Sequence, residues 1–94
     1  MALTVIVAYD ISEDNRRARL AAVLQAYGDR IQKSVFVLSA DQPLIDDLHR
    51  RARDIIDLDR DSVYFFRQCA PCWESVGVVG QATVAEPQRY WAVF

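Results

Sequence analysis

Tyr9 and Asp10 are the first residues in the chain whose chemistry stands out, because they follow a continuous apolar run. A carboxylate that ends a buried strand lies at the rim of a sheet, where it can meet solvent and a ligand together. Magnesium prefers oxygen ligands and keeps several waters while one or two carboxylates bind it. Asp10 alone is too little for a tight site, but two copies across a two-fold axis could share one ion. The alternative is an aspartate that only ends a strand or caps the next helix.

Three arginines, Arg16, Arg17 and Arg19, fall within four positions just after Asp10. Guanidinium groups bind phosphate oxygens in bidentate fashion. Phosphate contacts supply much of the affinity of a protein for nucleic acid. A solvated helix face paired with nearby acidic residues explains the cluster equally well.

A second polar segment, Arg30-Ile-Gln-Lys-Ser34, combines two cations with an amide and a hydroxyl. The hydroxyl of Ser34 could donate to a phosphate. Taken alone, the segment is better explained as the solvent face of an edge strand, with Lys33 protecting that edge from aggregation.

The pair Cys69-Ala-Pro-Cys72 fits either a redox site or part of a zinc site. A redox pair is expected at the N-terminus of a helix, where a thiolate is stabilised, and no helical pattern clearly follows Cys72. Zinc needs four ligands, and the chain offers two cysteines and the distant His49, so only a dimer could complete the site. Partly buried thiols at a turn are the favoured interpretation, and His49 is predicted to be a surface residue.

The elements that must position these groups alternate along the chain. Leu3–Tyr9 is apolar on both faces and predicts a central strand. Ser12 is the predicted N-cap of the first helix, and Gly28 is predicted to end it in the left-handed conformation. The remaining predicted elements are a strand near 31–38, a helix over about 41–56, and strands over 62–69 and 76–79. The second strand is either bent or a tight hairpin, and a hairpin would make the fold ferredoxin-like.

Composition describes one folded domain over residues 1–94. Apolar residues make up 52% of the chain and charged residues 26%, which excludes a disordered protein. No signal peptide or membrane-spanning run is present, so a cytoplasmic protein is predicted. The net charge of −2 argues against a generic nucleic-acid binder. However, residues 41–61 hold seven aspartates against four arginines, and this acidic middle can mask a basic face elsewhere.

Three segments taken together resemble the CRISPR-associated protein 2 family. They are Val-Ala-Tyr-Asp-Ile-Ser at 7–12, Arg-Arg-Ala-Arg at 16–19 and Tyr-Gly-Asp-Arg-Ile-Gln-Lys-Ser-Val-Phe at 27–36. The third segment is the specific one. The likeness covers the first 36 residues in register and continues more loosely through the strand after Asp61, the cysteine pair and residues 76–80.

This resemblance implies an α+β fold, a ferredoxin-like βαββαβ sandwich, with an additional C-terminal strand in the extension 76–94 and a symmetric homodimer. It implies that Asp10 of each subunit binds a shared Mg²⁺ ion. It also implies either a metal-dependent endonuclease acting on RNA or double-stranded DNA, or a scaffold that bridges dimers of the CRISPR-associated integrase. The apolar residues Tyr90–Phe94 are expected to add a strand to a sheet edge, first that of the other subunit.

By matching position, Asp10 is the implied metal ligand and the residue most tied to catalysis, with Tyr9 beside it. Residues that support activity or contact nucleic acid are Arg17, Arg19, Arg30, Ser34 and Phe36, and the arginine cluster adds Arg16. A non-catalytic regulatory or ligand-binding dimer is the alternative from another functional class, because ferredoxin-like dimers host many functions.

Overall fold

A computed structural model describes residues 2–80 of the 94-residue chain. The elements in chain order are β1 (Leu3–Asp10), α1 (Asp14–Gln25), β2 (Gly28–Gln32), β3 (Val35–Ala40), α2 (Gln42–Ile55), β4 (Ser62–Gln68) and α3 (Ala70–Glu74). The second predicted strand is therefore a hairpin, with its turn at Lys33 and Ser34.

The four strands form one antiparallel sheet in the order β2-β3-β1-β4. The strand β1 is central, as its apolar composition predicts. Val7, for example, lies opposite Phe36 on one side and Phe65 on the other. This βαββαβ order and this sheet order are those of a ferredoxin-like fold, and the predicted fold class is confirmed.

One face of the sheet is covered by α1 and α2. Alternate residues of β1 and β3 point to this face, because strand side chains alternate with a period of two. The buried core residues of the two strands and two helices include Val5, Val7, Tyr9, Phe36, Leu38, Leu20, Leu24, Ile45 and Leu48. The helical and strand spacings seen in the sequence thus describe the same buried layer.

The opposite face of the sheet carries exposed aromatic side chains. Tyr64 and Phe66 of β4 are 53% and 49% exposed, and their stacked rings lie 5.9 Å apart. They lie opposite Ala8 and Ile6 of β1. Phe65, between them, points to the core instead, so β4 presents apolar groups to both sides of the sheet.

Gly28 has a role different from the predicted helix cap. Helix α1 ends at Gln25, and Gly28 begins β2 without a positive φ. A Cβ at this position would lie 2.2 Å from the carbonyl oxygen of Val37 and 2.5 Å from a methyl carbon of Leu38. The glycine is therefore needed for the close approach of β2 and β3.

The chain after β4 also differs from the sequence prediction. The short helix α3 begins directly after Cys69, where no helix was predicted, and residues 76–79 form no strand in the described part of the chain. The valines of this run favour a strand, but a strand forms only where its backbone pairs with another strand. The predicted strand at Tyr90–Phe94 lies outside the described residues. Among residues 2–80, no helix has the length and apolar character that crossing a bilayer requires.

We predict that Gly28→Ala destabilises the protein by about 1–3 kcal/mol, because the new methyl group collides with backbone and side-chain atoms of β3. Urea denaturation followed by circular dichroism measures the change. Gly77→Ala is the matched control, since a Cβ there meets nothing within 4 Å, and its effect should stay within about 0.5 kcal/mol. Equal stability of the two variants would contradict the close approach.

Candidate functional site at the end of β1

A cleft of about 460 Å³ opens at the end of β1, beside α1 and the β2–β3 turn. Five residues predicted from the sequence line it, together with a lysine from the turn. These six are Tyr9, Asp10, Arg17, Arg30, Ser34 and Lys33. The fold thus brings together residues from the two most informative segments of the sequence.

Asp10 is an exposed carboxylate of this cleft. It is the last residue of β1 and lies opposite Ser62, the first residue of β4. Within residues 2–80, no cation or hydrogen-bond donor pairs with its side chain. By strand alternation its carboxylate lies on the face of the sheet that carries Tyr64 and Phe66. Asp10 is therefore free to bind a cation.

The three cations of the cleft differ in how far they are already engaged. Arg17 pairs with Asp14 and donates a hydrogen bond of 2.8 Å to the carbonyl oxygen of Ile11. The guanidinium of Arg30 lies over the ring of Phe36, 5.1 Å from its centroid. The ammonium of Lys33 has no partner in the described part of the chain. Arg30 and Lys33 are thus the more available groups for an anionic ligand.

Tyr9 is buried, and its contacts hold the β2–β3 turn. Its hydroxyl donates to the carbonyl oxygen of Lys33 at 3.4 Å, and its N–H donates to that of Ser34 at 3.0 Å. Its ring stacks on Phe36 at a centroid distance of 6.3 Å. Tyr9 and Phe36 therefore support the polar residues of the cleft from beneath.

Arg16 and Arg19 lie outside the cleft. The Nε of Arg16 donates to the carboxylate of Asp61 at 2.8 Å. Arg19 lines a separate groove between α1 and α2, together with Arg51. The helix thus divides the arginine cluster among three surroundings, and only Arg17 stands beside Asp10.

Asp61 is the residue near the site that sequence reasoning missed. Its side chain is fully buried. It accepts hydrogen bonds from the N–H of Ser12 at 3.0 Å, the hydroxyl of Ser12 at 3.1 Å and the N–H of Asp57 at 2.9 Å, besides that from Arg16. Asp61 thereby joins the loop after β1, helix α1 and the loop before β4. Only its position directly before an apolar strand distinguished it from the other aspartates of residues 41–61.

The N-cap residue of α1 differs from the predicted one because of this network. Because Ser12 is bonded to Asp61, the helix is capped by Glu13, not by Ser12 as predicted. The carboxylate of Glu13 accepts from the N–H of Asn15 at 2.9 Å and that of Arg16 at 3.2 Å.

The electrostatics of this network favour the ionised form of Asp61. The Arg16 guanidinium, helped by the donors on Asp57 and Ser12, holds the pKa of the Asp61 carboxyl far below its usual value of 3.8. A depressed pKa means that the unfolded chain binds the proton more tightly than the folded one. The stabilisation is therefore complete above about pH 4 and is lost as the pH falls below that value.

A metal ion at this site would need ligands beyond the carboxylates that residues 2–80 of one chain provide. The described residues contain no cluster of three or more His, Cys, Asp or Glu side chains that could hold a metal. The other carboxylate lining the cleft, Asp14, is paired with Arg17. Among residues 2–80, Asp10 is thus the unpaired carboxylate of this cleft that could bind a metal.

We predict that Asp61→Asn lowers the melting temperature at pH 7 by at least several degrees, because Arg16 loses its charged partner. It should also flatten the fall in stability below pH 4, since the titrating group is gone. Thermal unfolding across an acid pH series tests both effects. Asp59→Asn, at an exposed carboxylate in the same loop, is the control and should retain the wild-type profile. A wild-type acid profile in Asp61→Asn would show that this pair does not govern acid stability.

Comparison with known proteins places these residues in a family. The family model described as CRISPR associated protein Cas2 matches residues 2–76. The chain is 42% identical over 80 residues to CRISPR-associated endonuclease Cas2 2 of Thermus thermophilus, covering 85% of this chain and 84% of that protein. It is 33% identical over 85 residues to CRISPR-associated endoribonuclease Cas2 1 of Chloroflexus aurantiacus, covering 89% and 91%.

A solved structure agrees with these sequence matches. The crystal structure of Streptococcus pyogenes Cas2 superposes with a TM-score of 0.75 at 29% identity, covering 82% of this chain and 99% of that chain. The residues matched by the family model include the cleft around Asp10 and the Asp61 network. The chain belongs to the Cas2 family of CRISPR-associated proteins.

Proposed function

We propose that this protein is a nucleic-acid-binding homodimer that acts in CRISPR spacer acquisition beside the CRISPR-associated integrase. We further propose that Asp10 of the two subunits holds one Mg²⁺ ion that supports phosphodiester hydrolysis. The observation that carries the proposal is the exposed, unpaired carboxylate of Asp10 in a cleft that also holds Arg17, Arg30 and Lys33. Such cations position a phosphate, and the free carboxylate suits a hydrated Mg²⁺ ion.

The open face of the sheet supports the dimer. Tyr64 and Phe66 are large, adjacent and half exposed on this face, and contiguous exposed apolar groups are typical of interaction sites. Asp10 points to the same side of the sheet. A face-to-face pairing of two sheets would therefore bring the two Asp10 carboxylates toward one axis.

The chain's own residues would bind and orient the substrate. Arg30 and Lys33 would contact phosphate oxygens, and the hydroxyl of Ser34 would donate to one of them. Arg17 would contribute the donors that Asp14 and Ile11 leave free. When bound, Mg²⁺ would neutralise phosphate charge and lower the pKa of a coordinated water. The nuclease names of the relatives from Thermus thermophilus and Chloroflexus aurantiacus support testing both DNA and RNA.

A scaffold without hydrolysis is the second candidate, and the single free carboxylate per cleft favours it. In that case the same cations would grip duplex DNA, and the integrase would perform the chemistry. The two candidates predict different consequences for the loss of Asp10.

We predict that Asp10→Asn lowers Mg²⁺-dependent cleavage of RNA or double-stranded DNA by about a hundredfold or more. Loss of a group that merely supports a metal ligand already costs about 10–100-fold. Folding should be unchanged, because Asp10 is exposed and unpaired. Cleavage of labelled substrates with and without EDTA, on gels, measures the effect.

The control for this experiment is Asp59→Asn, which removes one exposed carboxylate outside the cleft and should cleave at the wild-type rate. The double change Arg30→Gln and Lys33→Gln should instead weaken binding and reduce its salt dependence, by about one unit of slope for each lost contact. Wild-type cleavage by Asp10→Asn would reject the nuclease and leave the scaffold. An unchanged salt slope would reject the cleft as the phosphate-binding surface.

We predict that the protein is a dimer at micromolar concentration and that Tyr64→Ser with Phe66→Ser shifts it to a monomer. The reason is that each serine removes apolar area from the proposed interface. Light scattering coupled to size exclusion measures the mass. Leu58→Ser is the control, because Leu58 is 67% exposed but lies in the loop before β4, and this variant should remain a dimer. A wild-type monomer would remove the shared-metal model as well.

A further inference from the structure

Two thiols come together at the end of β4 that lies away from the cleft. Cys69 and Cys72 are both free and exposed. The Sγ of Cys69 accepts a hydrogen bond from the N–H of Cys72 at 3.2 Å. The sequence favoured partly buried thiols at a turn; the structure instead exposes both thiols, and the sulfur of Cys69 contacts the backbone of Cys72.

The local backbone holds this pair at a fixed spacing. Cys69 is the extended N-cap residue before α3, and Cys72 is the third residue of the helix. Pro71 lies between them, fixes its own φ and has no N–H to compete for the sulfur. Side chains three residues apart in a helical turn are neighbours. A disulfide needs such neighbouring positions, with Cα atoms about 4.4–6.8 Å apart.

The two thiols are chemically unequal. The hydrogen bonds from the Cys72 thiol and from its N–H lower the pKa of Cys69. The same thiol contact raises the pKa of Cys72. Cys69 is thus more readily deprotonated to a thiolate, whereas Cys72 more readily stays protonated as a thiol. This difference suits the division between an attacking and a resolving cysteine.

We propose that Cys69 and Cys72 form a dithiol exchange site that reacts with low-molecular-weight disulfides such as glutathione disulfide and closes to an intramolecular disulfide. The thiolate of Cys69 attacks one sulfur of glutathione disulfide, whose S–S bond breaks. One glutathione leaves as a thiolate, takes up a proton, and leaves Cys69 in a mixed disulfide. Cys72 then gives its proton to solvent and attacks the Sγ of Cys69, which releases the second glutathione. The protein pair loses two electrons, and one glutathione disulfide becomes two glutathione thiols.

This site is independent of the proposed nuclease. Ser62, opposite Asp10, and Gln68, next to Cys69, are the two ends of β4. At about 3.3 Å per residue the strand separates them by roughly 20 Å. The reverse reaction with excess glutathione reopens the pair, so the site is reversible. A disulfide between Cys69 and Cys72 would fix the start of α3, whose Trp73 is buried.

The test is incubation of the reduced full chain with mixtures of glutathione and glutathione disulfide, followed by alkylation and intact mass measurement. Wild type should lose two hydrogens and both alkylation sites, and it should recover them in excess glutathione. Cys72→Ser should stop at a mixed disulfide on Cys69. Cys69→Ser keeps a hydroxyl at the helix cap, and its remaining thiol should react about tenfold more slowly, because Cys72 lacks the lowered pKa.

The proposal fails if wild type accumulates glutathione on both cysteines or joins two chains by a disulfide. It also fails if the reduced protein binds zinc and thereby protects its thiols, since the pair would then be a metal site shared between subunits. Asp10→Asn should oxidise as wild type does, so the result does not depend on the nuclease. Circular dichroism of the two cysteine variants should match wild type, which separates loss of exchange from loss of folding.

Discussion

The buried carboxylate of Asp61 is the interaction on which the geometry of the cleft depends. A charge removed from water must be paired and hydrogen-bonded, or it destabilises the fold. Asp61 meets this requirement with Arg16 and with backbone donors of Ser12 and Asp57. These partners belong to segments on both sides of the end of β1. Because the network ties together the segments around that end, Asp10 follows a strand whose flanking loops are hydrogen-bonded, while its own carboxylate has no partner among residues 2–80.

The distribution of ion pairs explains how an acidic protein can offer a cationic cleft. The net charge of −2 describes the whole chain, whereas recognition depends on the local field. Arg16 is engaged by the buried Asp61, and Arg17 shares its guanidinium with Asp14 and Ile11. Among the described residues, the two cations of the hairpin, Arg30 and Lys33, have no carboxylate partner. The hairpin turn, held by Tyr9, thus decides where positive charge stays available beside Asp10.

The two faces of the sheet divide structural and assembly roles. One face is closed by α1 and α2 over an apolar core, so the hydrophobic burial within a single chain lies there. The other face carries Tyr64 and Phe66 together with Asp10 at its rim. In the proposed dimer, burial of this face and the sharing of one metal ion are the same event. The cysteine pair takes no part in the proposed dimer contact or metal site, since it follows the far end of β4.

The sequence by itself determined the hydrophobic layer, the family and the main elements from β1 to β4, but it left the β2–β3 hairpin open and missed α3. Strand and helix periodicities depend on residues close along the chain, and the specific segment from Tyr27 to Phe36 needs no partner to be recognised. Tertiary structure decided the rest, because it depends on residues distant in sequence. Arg16 and Asp61 are 45 positions apart, so their pairing and the resulting cap at Glu13 had no local signal. The requirement for glycine at Gly28 comes from β3 packing against it, and the role of Arg16 was set by the distant carboxylate that the fold brought within reach.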